Sequence, residues 1–162
     1  MNASGHPHGE MRRKQRQITD MAEISEILKT GKVMNLALAD NNIPFTVPVF
    51  YAFDGIAVYF HSAKAGTKIE LMKKNSTVCF SVSIDNGYIE DDKACDFEAK
   101  HRTVIGLGQA VFVEDEAEKI KALDMIVALF TDKKFEYPKA NLSGTEVIRI
   151  DIESMKGKKH GF

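Results

Sequence analysis

The alternation of apolar and polar residues changes period several times along the chain, and each change marks an element. From Ile18 the spacing is helical: Asp20 can cap a helix, Glu23 stands three residues on, Ile24, Ile27 and Leu28 share one face, and Gly31 ends it. The period then falls to two. Val33 to Ala39 is apolar, Asp40-Asn41-Asn42 supplies turn residues, IPFTVPVFYAF follows, and Asp54-Gly55 signals a tight hairpin before IAVYFH. Pro48 cannot donate to a β-ladder, so it is expected at an edge or a bulge. A short helix from Thr67, a strand over residues 76–84, and a long strand in HRTVIGLGQAVFVE come next. Asp115 and Glu118 open a further helix whose Ile120, Leu123, Ile126, Val127 and Phe130 are expected to face a core. TEVIRIDIE closes the pattern as a last strand ahead of a basic tail, GKKHGF. Between residues 85 and 100 the acidic stretch DNGYIEDDKACDFEAK shows no period and reads as a loop facing a function or a partner. About six strands joined mostly by hairpins, with flanking helices and no βαβ rhythm, predict a mainly β fold, an antiparallel barrel.

Composition narrows this to one domain. The 162 residues are 44% hydrophobic, enough for a single core that can also admit a small ligand. Residues 1–17 are expected to form a flexible N-terminal arm, with the domain running over 18–162; His6 and His8 in that arm could hold a metal only adventitiously. With 22 basic and 23 acidic residues the net charge is −1, which gives no overall field for nucleic acid or an anionic membrane. The MRRKQR cluster is brief and lacks interleaved aromatics, so it reads as a solvated lead-in. No segment approaches a membrane span. Cys79 and Cys95 form no CxxC pair and no secretory leader is visible, so a reduced, cytoplasmic protein is expected. Cys79 lies in an apolar strand and reads as a small buried side chain; nothing near Cys95 lowers its pKa.

Chemistry concentrates in YFHSAKAGTKIELMKKN, residues 59–75. Thr67 with Glu70 has the spacing of a capping box, a common way to begin a helix. The same helix start offers free backbone N–H groups and a positive dipole end, with Gly66 allowing close approach, Lys68 adding charge and Ser62 a hydroxyl; together these could hold a phosphate. On the residues alone the plain cap comes first. His61 ends a strand with no second ligand at metal spacing, which argues for a hydrogen-bonded rim residue and against a metal site. His101, after the acidic stretch and beside Arg102, reads as a surface residue. Gly106-Leu107-Gly108-Gln109-Ala110 is not a dinucleotide fingerprint, because strand and not helix follows it; the glycines let the strand curve or let a neighbour approach.

In order, MRRKQRQITD, FTVPVFYAFDG, VYFHSAKAGTKIELMKKNSTVCFSV, HRTVIGLGQAVFVED and VIRIDIESMKGKK resemble the FMN-binding split barrels, the pyridoxamine 5′-phosphate oxidase superfamily, in the branch related to nitroimidazole-resistance proteins. The resemblance spans nearly the whole chain and implies a six-stranded antiparallel split β-barrel with FMN at a homodimer interface. It implies that Val47, Pro48 and Val49 border the isoalloxazine, and that His61, Ser62, Ala63, Gly66, Thr67 and Lys68 form the phosphate side, with Lys64 in support. It further implies that Arg102 and Thr103 approach the flavin from the long strand and that Met155 to Lys158 are contributed by the partner subunit. His61 is the candidate catalytic residue, as a proton or hydrogen-bond donor to the substrate. Where the oxidase branch has paired basic residues this chain has Thr67-Lys68, and it lacks both a tryptophan and that branch's basic C-terminal motif, which argues against vitamin B6 oxidation. The expected activity is therefore FMN-dependent reduction of a small flat acceptor, of the flavin-reductase or nitro-reductase type. The alternatives are a flavin- or haem-binding protein without turnover and a dimeric interaction module.

Overall fold

A computed structural model describes residues 7–162; His6 and the residues before it lie outside them. The chain runs β1 (Gln17–Ile18), α1 (Met21–Thr30), β2 (Val33–Asp40), β3 (Ile43–Phe50), β4 (Ala52–Phe53), β5 (Ala57–Ala63), α2 (Thr67–Lys74), β6 (Thr77–Ile89), β7 (Glu98–Phe112), α3 (Glu116–Ala128), α4 (Lys139–Gly144) and β8 (Thr145–His160). The six long strands are those expected; β1 and β4 are two-residue additions. Among the described residues every strand pairing is antiparallel, in the order β3-β2-β6-β7-β8-β5-β4, with β1 on β8.

The ends of that order belong to one stretch of chain. β3 pairs with β2, and one residue later β4 pairs with β5, so the sheet curls until its ends meet at Tyr51. Tyr51 N–H donates to the Lys32 carbonyl at 3.2 Å, and its buried hydroxyl donates to the Leu28 carbonyl at 2.7 Å. Burial pushes that phenol's pKa well above its ordinary range. Before Tyr51 the two edges part, leaving β3 and β5 unpaired with each other: the barrel is split.

Local chemistry accounts for the turns. Asn41 and Asn42 take φ of 50° and 64°, the left-handed pair that a two-residue hairpin between right-twisted strands requires. The Asp54 carboxylate accepts from the N–H groups of Ile56 and Ala57 and so closes the next hairpin. Asp20 caps α1 by accepting from Ala22 N–H, and Asp115 caps α3 by accepting from Glu118 N–H.

Even-numbered residues fill the barrel. Met34, Leu36, Leu38, Phe60, Val78, Phe80, Val82, Val104, Ile148 and Ile150 are buried, and α1 adds Ile24, Ile27 and Leu28. Gly106 faces inward opposite Phe80, and a Cβ there would lie 2.2 Å from that ring; a Cβ on Gly108 would meet the Asp151 carbonyl at 2.3 Å beside a β7–β8 register shift. The two glycines thus admit neighbours, as the strand reading required.

Three expectations are corrected. Only half of the acidic stretch is a connection: β6 runs to Ile89 and β7 starts at Glu98, the pairing continues past Asp85 through a bulge beside the Tyr88–Phe97 stack at 5.0 Å, and residues 90–97 remain outside the strands. The basic tail is the far end of β8, held by pairing of Lys158, Lys159 and His160 to Thr103, Arg102 and His101. On α3 only Ala122 and Ile126 are fully buried; Phe130 lies beyond the helix end and is exposed.

Gly106→Ala should lower the unfolding free energy by about 1–3 kcal/mol, because the Phe80 ring is fully enclosed and must shift. Urea denaturation reads this, and a second change, Phe80→Leu, should recover part of the loss. Unaltered stability in Gly106→Ala would rule out the packing described.

Candidate functional site

Odd-numbered residues of β6 and β7 and their partners form the barrel's outer face. One cross-strand row runs Pro48, Asn35, Ser81, Ile105, Lys156 through consecutive register pairs. The next holds Phe50 opposite Val33, and Ser83 opposite Thr103, which is opposite Lys158. Ser83 and Thr103 hydroxyls are hydrogen-bonded at 3.0 Å. Val47 and Val49 point the other way and pack on the core, while Pro48 is exposed. Pro48 stands on an edge strand as expected, but with no bulge, since the β2–β3 register is unbroken.

Across the split, β5 presents His61 and Ala63 outward and Ser62 inward. The ladder to β5 stops at Ala52–Tyr59, so Phe50 at the end of β3 and His61 on β5 lie just beyond the point where the two edges part. The candidate site is therefore the gap between the unpaired edges of β3 and β5, where it opens onto the outer face.

The start of α2 lies just past the end of β5. Its N-cap is Gly66, at φ 124° and ψ 163°, a conformation that side-chain-bearing residues rarely adopt. No side chain caps the helix, which corrects the capping box: Thr67 is the first helical residue and its hydroxyl accepts no cap bond. The Gly66 carbonyl accepts from Ile69 and Glu70, while the earlier N–H groups have no intrahelical carbonyl to reach. The anion-ready features of the sequence thus survive without the competing cap.

Ser62 is 7% exposed, and its hydroxyl is buried without a hydrogen-bond partner. Leaving such a group unsatisfied costs about 1–3 kcal/mol, so a polar ligand or water reaching it would be favoured. The His61 imidazole is held below its ordinary pKa, by partial desolvation first and by the positive charge of Lys68 second. It is accordingly neutral at pH 7, with one ring nitrogen a donor and the other an acceptor.

Arg102 does not join this face. It points inward next to α1, where its guanidinium pairs with Glu26 at 3.4 Å and lies 5.4 Å from the Phe162 ring centroid. Cys79 is half-buried on the outer face, and Cys95 is exposed. His101 is half-buried, its ring centroid 6.4 Å from that of His160. Among the described residues no group of His, Cys, Asp and Glu could hold a metal ion, and no helix is long and apolar enough to cross a membrane.

Sequence reasoning missed an aromatic corner at the mouth of the split. Phe50 and Phe130 meet edge to face at 5.3 Å and 83°, and Lys32 Nζ lies 5.3 Å from the Phe130 centroid. Helical periodicity had assigned Phe130 to the core. The strand alternation that turns Pro48 outward could have placed Phe50 here.

An antiparallel barrel split along one seam, with a glycine-started helix and a buried orphan hydroxyl at the seam, defines the split-barrel class. The sequence profile of the pyridoxamine 5′-phosphate oxidase family matches residues 20–159, and the chain belongs to that family. Among solved structures it is similar to a candidate 5-nitroimidazole antibiotic resistance protein from Bacteroides thetaiotaomicron, at 26% identity over 88% of this chain and 86% of that one, TM-score 0.79. The flavocytochrome from Azotobacter vinelandii matches at 23% identity over 100% of this chain and 77% of that one, TM-score 0.84. The FAD and haem binding protein from Mycobacterium smegmatis matches at 16% over 91% and 75%, TM-score 0.80. Among curated proteins none matches the sequence significantly.

Two outcomes follow from this geometry. Gly66→Ala should destabilise the protein by about 1–3 kcal/mol through backbone strain alone, since no atom lies within 4 Å of the added Cβ; denaturant titration checks it. Because the folded pKa of His61 lies below its unfolded value, its contribution is fully present above about pH 6.5 and is lost as pH falls through the folded value. Lys68→Gln should raise the His61 pKa, read from the imidazole proton shifts by NMR, and an unmoved pKa would refute the coupling.

Proposed function

We propose that the protein binds FMN in the split and serves as an oxidoreductase delivering electrons to a small, flat acceptor. What supports this reading is that the unpartnered Ser62 hydroxyl, the start of α2 without a side-chain cap and Lys68 all fall within residues 62–68, at one end of β5. A terminal phosphate meets there what it needs: a hydroxyl donor, free backbone N–H groups at a positive helix end, and a full positive charge. Thr67 and Lys64 flank that position, and Gly66 keeps its approach open. The β3 edge through Val47, Pro48 and Val49 is the wall for the ring system, offering its backbone and the exposed Pro48 while the two valine side chains pack inward, and Thr103 reaches the same outer face. Arg102, engaged with Glu26, acts at a distance by fixing β7 against α1.

A bound flavin supplies the hydride and one-electron chemistry between a nicotinamide donor and the acceptor. His61, its pKa lowered by burial and by Lys68 and its side chain on the outer face of β5, holds a donor N–H towards a reduced acceptor. The names of the similar proteins from Bacteroides, Azotobacter and Mycobacterium, one for nitroimidazole resistance and two for flavin or haem, support the class. We take the assembly to be a homodimer whose outer faces oppose each other; of the Met155 to Lys158 stretch, Met155 and Gly157 pack inward and only Lys156 and Lys158 stand on the face that would meet the other copy. Ile105, exposed in the middle of that face, suits such burial. Two cysteines without a disulfide suit a reducing, cytoplasmic setting.

Purified protein should be yellow and release FMN, identified by mass. At FMN a hundredfold above its Kd, the melting temperature should rise by about 5–10 °C. Released FAD, or a haem Soret band, would replace FMN in the reading, and a protein that neither carries nor is stabilised by a flavin would overturn it. His61→Ala should keep the chromophore but lose about a hundredfold or more in acceptor turnover. Equal turnover of a quinone and a nitroaromatic by this variant and the parent would remove His61 from the chemistry.

A further inference from the structure

Phe130 also lines an apolar hollow of about 430 Å³, together with Val127, Phe135, Tyr137 and Pro138 and with Glu136 and Asn141 among its few polar residues. A smaller hollow of about 220 Å³ is formed by Val33, Pro48, Val49 and Phe50 on the ring-facing strand itself. The Phe50–Phe130 pair joins the two linings. Phe130 and Phe135, in the segment after α3, are 56% and 51% exposed, while Phe50, 53% exposed in the single chain, stands on the face assigned above to the other copy.

We propose that the larger hollow and this corner bind the acceptor, and that the acceptor is a planar aromatic molecule carrying a negative charge. The assignment to the acceptor rests on the flavin reading above; the site itself does not. The size suits a small molecule of one or two rings and is too small for a protein segment. Aromatic walls fit a flat ring, which can stack on Phe130 or meet it edge-on as Phe50 already does. Charge fixes the direction. The Lys32 ammonium lies 5.3 Å from the Phe130 centroid, on a residue whose carbonyl holds Tyr51 at the seam, and no carboxylate among the described residues pairs with it, so it is available to an anion near that ring. The Glu136 carboxylate belongs to the hollow's own lining and repels an anion there, leaving that part for the apolar end of the ligand. An anionic substituent is thereby drawn towards the seam between β3 and β5, which is where the proposed flavin edge lies.

The test is equilibrium dialysis of two probes, 4-nitrobenzoate and neutral nitrobenzene, against the flavin-free and the flavin-loaded full chain. Phe130→Ala should weaken both probes roughly tenfold, through loss of the ring contact. Lys32→Gln should weaken 4-nitrobenzoate roughly fivefold and leave nitrobenzene unchanged. Phe135→Ala, on the far wall, should weaken both and leave the charge preference intact. Binding of either probe that is indifferent to Phe130 and Lys32 overturns the proposal, as does no binding by the parent chain. A shift of Phe130→Ala to a smaller species in sedimentation would assign the corner to a second copy of the chain, and would also overturn it. Should the protein prove to bind no flavin, dialysis of the flavin-free chain still decides the site, so the two readings fail separately.

Discussion

Everything at the site depends on how one stretch of chain, residues 43–53, is shared between two neighbours. β3 belongs to β2 and β4 belongs to β5, and the change of partner occurs within a single residue, Tyr51. Its N–H is tied to Lys32 and its hydroxyl to Leu28 at the C-terminal end of α1. The space for that hydroxyl exists because Gly31 has no Cβ; one placed there would lie 2.6 Å from the Tyr51 oxygen. Helix end, glycine and tyrosine form a single clasp. Were it to loosen, β3 could follow β5 further and close the seam in which the Ser62, Lys68 and Pro48 region is open.

The clasp also explains why the polar groups of the site remain unused by the protein. Strand edges normally consume their hydrogen-bonding groups in pairing, and helix starts normally consume theirs in side-chain caps. Here β3 and β5 diverge before His61, and α2 begins on a glycine that contributes no side chain. The free donors lie together because both omissions occur within six residues, between His61 and Gly66. A buried Ser62 hydroxyl without a partner is the third member of the set, and it marks the place as one where stability has been given up locally.

Much of this was legible in the sequence, for identifiable reasons. The strands announce themselves because barrel interiors enforce a strict period of two, and the asparagine and Asp-Gly turns have few other uses. The extent of β6, β7 and β8 was not legible, since their outer ends are stabilised by partners far along the chain: Tyr88 by Phe97, and Lys158 by Thr103. Polar composition there reflects exposure, not irregular backbone. Thr67 was misplaced by one position because the capping pattern is satisfied equally by a residue at the cap or just inside it, and only the φ of Gly66 decides. Arg102 and Thr103 are adjacent in sequence and the strand sends them to opposite faces, Arg102 to Glu26 of α1 and Thr103 to Ser83 on the outer face, a split that a linear pattern does not show.

Lys68 links the two halves of the proposed chemistry. Its charge is one reason the His61 imidazole resists protonation. An anion held at Lys68 neutralises that charge, and the pKa of His61 then moves back up towards its ordinary value near neutrality. The coupling is reciprocal: whatever favours protonated His61 also favours the anion. A phosphate at the start of α2 would therefore do more than anchor a ligand; it would offset the Lys68 charge that acts on His61. Partial desolvation, the larger cause of the depressed pKa, works against this if the ligand covers the ring. The net direction is set by which of the two changes more on binding, and the exposure of His61 on the outer face leaves the electrostatic effect room to prevail.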